Sequence, residues 1–305
     1  MKINKYLSTL YLLWISPAFA TTSNDTLLQQ AQNGDASAEA TVGHNFLHGI
    51  GVGVDYQQAK FWLEKAVLQN NAKGELYLGI VYDRGYGTEK DPQKAFMLFK
   101  SAGDNGLGVG YNNVGIYYDQ GTGVEKNPTL ALQYHMKAAN LGDRNGLNYV
   151  GNYYSLLPGV KNQKVAIGYF RKAADKGDVY SMGILGAYYA DGKYLAQSYT
   201  KALDWYKKAG DKGNALALNF SGELYNQGKG VQQDHFKAFS FFERSAEAGN
   251  NLGMENLGLM YLYGTGVRLD LSMAAKYFGM SCDLKDEAAC QDYANLIKQD
   301  IKPAS

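Results

Sequence analysis

Seven glycines recur along this 305-residue chain at intervals of 35 or 36 residues, and this period limits the fold more than any other feature of the sequence. An aromatic residue follows each glycine three positions later, which would place both on one face of a helix. A period of this length is typical of arrays of helical pairs, in which neighbouring units bury each other's apolar faces. The seven pairs are Gly43–Phe46, Gly79–Tyr82, Gly115–Tyr118, Gly151–Tyr154, Gly186–Tyr189, Gly222–Tyr225 and Gly258–Tyr261.

A capping residue predicts the start of a second helix in every unit. Asp, Asn and Ser side chains accept a hydrogen bond from the otherwise unpaired N–H groups of a first helical turn. A glycine or asparagine that tolerates the left-handed conformation then closes most of these helices. The predicted caps are Asp55, Asp91, Asn127, Asn162, Ser198, Asp234 and Asp270.

The turn between the two predicted helices is irregular in the middle of the chain. Five units have the pattern Gly-x-Gly. The fourth has Leu157-Pro158-Gly159 and is one residue shorter, and the fifth has Gly192-Lys193-Tyr194. We therefore expect a local distortion between Leu156 and Thr200.

Together these features resemble the Sel1 repeat, a relative of the tetratricopeptide repeat, over residues 24 to 299. The resemblance is carried by segments such as Leu78-Gly79…Tyr82…Gly85…Gly87 and Gly228…Gly230-Val231…Asp234…Ala238. It implies an all-α fold: a right-handed α/α superhelical solenoid of about seven Sel1-like helix-turn-helix repeats plus a C-terminal capping helix. The expected division is a signal peptide (1–20), a solenoid (24–300) with repeats starting near 35, 71, 107, 143, 178, 214 and 250, and a tail (301–305).

The N-terminus reads as a secretory signal. Lys2 and Lys5 precede the mostly apolar stretch Tyr6–Ile15, and Ala18-Phe19-Ala20 has the small-x-small form of a cleavage site. The alternative is a buried N-terminal helix, but the three parts stand in the order of a signal. The stretch is too short to span a bilayer. We therefore expect cleavage after Ala20 and a periplasmic or secreted protein.

Charge argues against a nucleic-acid partner. Without Lys2 and Lys5, 28 of the 30 basic residues remain against 29 acidic ones, a net charge of −1. Nucleic-acid-binding proteins normally show a basic excess or stripe. No later stretch is apolar enough to be an integral membrane segment.

The two cysteines, Cys282 and Cys290, suggest one disulfide because their number is even in a chain predicted to be exported. They resemble the cysteine-rich, β-lactamase-like Hcp branch of Sel1 proteins. In that branch a disulfide with the same eight-residue spacing joins the second helix of one repeat to the next first helix. The alternative is two buried free thiols.

Catalytic motifs are not found, so neither an enzyme, a cofactor nor a metal site is predicted. His44 and His48 would share a helix face but lack a third ligand and the glutamate of a zinc-protease helix. His135 and His235 are expected at the surface. The Gly-x-Gly segments lie between helices rather than after a strand, which favours turns over phosphate loops.

A row of polar residues on the first helices is the predicted partner-binding surface. In tetratricopeptide solenoids the first helices line the concave face, and amides there can both donate to and accept from a peptide backbone. The alternative is a merely solvated face. The predicted partner-binding residues are Asn112, Asn148, Asn152, Asn219 and Glu223.

The resulting functional hypothesis is an exported adaptor that binds a protein partner on this face. Family analogy suggests an immunity protein against a phospholipase toxin of a type VI secretion system. The alternatives are a virulence-associated protein that binds a host protein such as an immunoglobulin, an enzyme acting on cell-wall peptides, and an envelope scaffold.

Overall fold

The computed structural model describes residues 22–304, and this part of the chain contains sixteen α-helices and no strand. The all-α prediction is therefore confirmed. The predicted signal peptide lies outside the described residues. The helices are α1 (Thr22–Gln32), α2 (Ala36–His48), α3 (Tyr56–Leu68), α4 (Ala72–Arg84), α5 (Pro92–Asp104), α6 (Gly108–Gln120), α7 (Pro128–Asn140), α8 (Arg144–Leu156), α9 (Val160–Asp175), α10 (Val179–Asp191), α11 (Tyr199–Gly210), α12 (Ala215–Gln227), α13 (His235–Glu247), α14 (Asn251–Tyr263), α15 (Leu271–Asp283) and α16 (Glu287–Lys298).

Helices α2 to α15 form seven consecutive pairs, in which an even-numbered first helix precedes an odd-numbered second helix. Helix α1 comes before the first pair, and α16 follows the last one as the predicted C-terminal helix. The described residues fall into two compact bodies that divide after Tyr134, the N-terminal body and the C-terminal body.

The predicted caps begin six of the seven second helices. Asp91 accepts a hydrogen bond from the backbone N–H of Lys94 at 2.9 Å, and Asp270 accepts one from that of Met273 at 2.9 Å. The prediction is wrong for Asn162, since α9 begins earlier, at Val160, and has no side-chain cap. The Asn162 amide instead donates to the carbonyl oxygen of Pro158 at 2.8 Å.

Close approach between the two helices of a pair depends on the repeat glycine. A Cβ atom on Gly222 would lie 2.6 Å from Cε1 of Phe242, and one on Gly258 would lie 2.6 Å from Cε1 of Phe278. The ring against the glycine therefore comes from the second helix. The aromatic residue three positions after the glycine packs beside it, as Tyr225 does on Phe241, with ring centroids 5.5 Å apart.

Histidine occupies the equivalent ring position in the third pair. His135 is only 1% exposed and stacks on Tyr149, with ring centroids 3.6 Å apart. The expectation that His135 is a surface residue is therefore wrong, because this position faces the neighbouring first helix. His235 is partly buried at the start of α13, and its Nδ1 lies 2.7 Å from Oδ1 of Asn226.

The fourth pair departs from the others where the sequence suggested. Helix α8 ends at Leu156 without a glycine cap, and only three residues separate it from α9, which has 16 residues where α8 has 13. The extra turn of α9 replaces the missing part of the interhelical turn. Gln163, 7% exposed, fixes this junction by donating from Nε2 to the carbonyl oxygens of Ser155 at 2.7 Å and Leu157 at 3.2 Å.

Helix α16 covers the end of α15. Ala289 and Leu296 are buried and pack in one cluster with Phe278. The Sγ atoms of Cys282 and Cys290 lie at disulfide-bonding distance, with Cα atoms 4.5 Å apart. The bridge thus ties the last turn of α15 to the first turn of α16.

Candidate partner-binding surface

The candidate surface is formed by partly or fully exposed side chains on the first helices of the C-terminal body. These side chains stand at positions −6, −3, +1 and +5 relative to the repeat glycine, so helical spacing places them on one side of each helix. We call this surface the first-helix face; its members are Asn148, Asn152, Tyr180, Asp191, Glu223, Glu255 and Tyr263.

A hydrogen-bonded network joins α8 to α10 on this face. Asn152 Nδ2 donates to Oδ1 of Asn148 at 2.9 Å, and the Tyr180 hydroxyl donates to Oδ1 of Asn152 at 3.3 Å. Asn148 Nδ2 in turn reaches Oδ1 of Asp178 at 3.0 Å and Oγ of Ser181 at 3.1 Å. The structure therefore brings the two predicted residues Asn148 and Asn152 together and adds Tyr180 to them.

A second network joins α12 to α14. Asn219 Nδ2 donates to Oε1 of Glu223 at 2.7 Å, and Asn256 Nδ2 donates to Oδ1 of Asn219 at 2.9 Å. Asn219 is fully buried, so its amide positions Glu223 and Asn256 rather than meeting a partner. Glu223 itself is partly exposed.

Two of the five predicted residues are thus not exposed. Asn112, in the N-terminal body, is 4% exposed, and Asn219 is fully buried. The expectation that the asparagines of this row lie outside the packed interior is wrong for these two. For Asn219 the reason is that Asn256 on the adjacent first helix α14 packs directly over it.

Packing of α12 against α14 partly buries the Glu223 carboxyl group, and burial disfavours its charged form. Burial raises the pKa of its carboxyl above the ordinary value of 4.5, and the hydrogen bond from Asn219 and the charge of Lys229 oppose the rise. The folded protein therefore holds this proton more tightly than the unfolded chain does. The raised pKa of Glu223 therefore adds to the free energy of unfolding at a pH below the carboxyl pKa of the unfolded chain. This contribution is lost as the pH rises through the carboxyl pKa of the folded protein.

Replacement of Glu223 by glutamine should remove this pH dependence while keeping the acceptor for Asn219. We expect the thermal midpoint of Glu223→Gln to exceed that of the parent by more at about pH 7 than at about pH 4. Thermal denaturation followed by circular dichroism at both pH values checks this. An equal difference at the two pH values would contradict the buried-carboxyl interpretation.

His44 and His48 lie in the N-terminal body, with ring centroids 4.6 Å apart. His44 is partly buried and packs against Tyr77 at 4.4 Å between centroids. Burial, followed by the nearby His48 and Lys73, lowers the pKa of His44 despite a hydrogen bond with Asn45. Within residues 22–304 no group of three or more His, Cys, Asp or Glu side chains is placed to hold a metal ion.

Sequence reasoning missed Tyr180 and Asp191 of this surface and also Tyr194, which lies beside it in the turn after α10. Tyr194 stands where five other turns have their second glycine, and this difference was the sequence feature that could have pointed to it. All three line a cavity of about 280 Å³ between α8 and α10.

One family model matches seven successive segments of the chain. The model of the Sel1 repeat matches residues 36–71, 72–107, 108–143, 145–178, 179–214, 215–250 and 252–286. No curated protein matches the chain in sequence.

Several solved structures are similar. A Sel1 repeat protein from Oxalobacter formigenes is 31% identical, with a TM-score of 0.68 over 80% of this chain and 99% of that protein. A protective antigen of uropathogenic Escherichia coli is 25% identical, with a TM-score of 0.80 over 93% of this chain. This chain spans 62% of the E. coli protein's length. An immunity protein of Pseudomonas aeruginosa is 22% identical over 75% of this chain and 83% of that protein, but its TM-score of 0.43 is too low to bear on function.

Proposed function

Since this chain belongs to the Sel1 repeat family, we propose that it is an exported, non-catalytic adaptor that binds a protein partner on its first-helix face. The observation that carries the proposal is the polar network that runs from α8 to α10. It holds amide and phenol groups in fixed positions on a partly exposed surface.

The Asn152 amide of this network keeps hydrogen-bonding capacity for a partner. A carboxamide has two N–H donors and an oxygen with two lone pairs. Asn152 uses one donor for Asn148 and one acceptor site for Tyr180. The remaining donor and lone pair can bind the carbonyl and N–H groups of a peptide backbone, and the network spares the partner the entropy of ordering these side chains.

Two observations support export. The predicted signal sequence precedes the described residues, and the close pair Cys282–Cys290 fits an oxidising compartment. No helix within residues 22–304 has both the length and the apolar character to cross a bilayer.

Among the narrower roles, the structural likeness to a protective antigen favours the virulence-associated form of the adaptor. The immunity role rests on family analogy alone. The partner's identity distinguishes the two: a phospholipase-type toxin supports immunity, and a host protein supports virulence.

Replacement of Asn148 and Asn152 together by alanine should weaken partner binding more than about tenfold, because the partner groups that they bind lose their hydrogen bonds. The partner is first captured from periplasmic extract and from host serum on the tagged mature chain and identified by mass spectrometry. Its affinity for the parent and the variant is then measured by calorimetry.

Two control variants separate binding from folding. Asn140→Ala removes an exposed amide at the end of the second helix α7 and should leave the affinity unchanged. Gly151→Leu should damage packing, since a Cβ there would lie 2.9 Å from Cδ1 of Phe170, and should reduce binding only together with stability. If the double alanine variant binds as tightly as the parent, the interface lies elsewhere.

A further inference from the structure

Two departures from the repeat pattern meet in one groove of the C-terminal body. In regular pairs the second glycine of the turn lies against the start of the preceding second helix. A Cβ atom on Gly230, for example, would lie 2.5 Å from the backbone nitrogen of Thr200. A tyrosine cannot approach so closely, so the Tyr194 side chain turns into the space between α8 and α10 and lines the cavity there. The shortened turn 157–159 directly follows α8, the other helix beside this cavity.

The groove follows the exposed side of α10. Tyr180, Ile184, Ala187 and Asp191 line it at spacings of three and four residues. Tyr180 and Asp191 are eleven residues apart, which corresponds to about 16 Å along a helix. The groove therefore has the length of a short extended peptide.

The walls of the groove are held by buried polar contacts. The hydroxyl of Tyr188 donates to Oε1 of Gln163 at 2.8 Å, while Nε2 of Gln163 binds the end of α8. The rings of Tyr188 and Tyr194 lie 6.3 Å apart and meet edge to face. Gln163 thus fixes the end of the groove that contains Asp191.

Of the four first helices of the C-terminal body, α8 begins with the basic residue Arg144 and contains no acidic residue, whereas the other three are acidic. Helices α10, α12 and α14 contain no lysine or arginine, and each contains one acidic residue: Asp191, Glu223 and Glu255. The second helices α9, α11, α13 and α15 each contain at least one lysine or arginine. The first-helix face is therefore acidic in a chain whose net charge is close to zero.

We propose that the groove between α8 and α10 binds an extended, basic segment of the protein partner, with an arginine or lysine side chain at the Asp191 end. This inference rests on the proposed adaptor function. The carboxylate of Asp191 pairs with the cation, and the rings of Tyr188 and Tyr180 offer faces that attract cations. Tyr194 already has Lys193 over its ring, with Nζ 5.2 Å from the centroid, so it serves as a wall.

A random-peptide phage library, selected on the mature parent protein, tests the class of ligand directly. We expect the selected peptides to be enriched in arginine and lysine. Synthetic peptides from that selection should bind about tenfold more weakly to Asp191→Asn and to Tyr180→Ala, because aromatic and charged anchors dominate such interfaces. Their affinity should also fall as salt is raised.

Matched variants control for indirect effects. Asp175→Asn removes an exposed acid at the end of α9, and Tyr153→Ala removes a ring from α8 that is 39% exposed and does not line the groove. Both should bind the selected peptides as the parent does. All four variants should keep the parent's circular dichroism and thermal midpoint.

The outcomes separate this inference from the adaptor function. Selection of acidic or uncharged peptides, or of none, overturns the basic ligand. Peptide binding that is insensitive to Asp191→Asn and Tyr180→Ala overturns the groove. If a captured partner depends on Asn148 and Asn152 but not on Asp191 or Tyr180, the adaptor function stands and only the present inference fails.

Discussion

Replacement of Gly110 by alanine should lower the free energy of unfolding by about 3 kcal/mol, because the added methyl group meets backbone that cannot move aside. A Cβ atom at Gly110 would lie 2.5 Å from the carbonyl oxygen of Phe99 and 2.6 Å from the backbone nitrogen of Gly103. Helices α5 and α6 would have to separate, which exposes the core around Ala102. Chemical denaturation followed by far-UV circular dichroism measures the loss.

Gly168→Ala makes the same chemical change with the opposite expected result. Gly168 lies inside α9, and a Cβ atom there would meet no other atom within 4 Å. Alanine in an open helical position stabilises a helix by up to about 1 kcal/mol relative to glycine. If Gly110→Ala proves as stable as the parent, the crossing of α5 and α6 is looser than the structure shows.

Replacement of Glu75 by alanine should cost about 3 kcal/mol of the free energy of unfolding, since it removes the buried, charged acceptor of three hydrogen bonds. Glu75 is 2% exposed. Its Oε1 accepts from Oγ of Ser101 at 2.6 Å, and Nδ2 of Asn105 donates to both carboxylate oxygens, at 2.9 and 3.0 Å. These contacts join the first helix α4 to the end of α5.

Two further substitutions serve as comparisons for the loss of stability expected of Glu75→Ala. Glu75→Gln keeps one acceptor oxygen and should lose less stability than Glu75→Ala. Glu89→Ala removes an exposed carboxylate from the turn before α5 and should change stability by less than about 0.5 kcal/mol. Thermal denaturation of the three variants ranks them. A loss for Glu89→Ala as large as that for Glu75→Ala would show that net charge, not the buried network, sets the stability.

The sequence predicted those parts of the fold that depend on neighbouring residues. The helix pairs follow from the glycine period, and the caps follow from side chains that bond their own first turn, as Asp91 and Asp270 do. The prediction failed at Asn162 because Gln163 bonds the end of α8 and allows α9 an extra turn. A hydrogen bond between two helices cannot be predicted from the residues next to each partner in the sequence.

Burial within the polar row could not be predicted for a related reason. Asn148 and Asn219 occupy the same repeat position, but Asn148 is partly exposed and Asn219 is fully buried. The difference lies in the adjacent helix: Asn256 covers Asn219, whereas a groove begins one helical turn after Asn148, at Asn152. Equal repeat positions therefore do not imply equal exposure when the distance between units varies.

The tyrosine at position 194 also bears on the cooperativity of folding. A repeat array is quasi-one-dimensional, and its stability is approximately a sum over units and nearest-neighbour interfaces. Elsewhere a turn glycine contacts the preceding unit, as Gly230 does at Tyr199, and Thr200 Oγ1 donates to the Gly230 carbonyl oxygen at 3.0 Å. Tyr194 cannot make the glycine contact, so we expect this one contribution to the coupling between the fourth and fifth pairs to be missing. A segment bound along α10 would contact both pairs and restore that coupling. A C-terminal body with an occupied groove would then unfold more nearly as one unit than the free protein does.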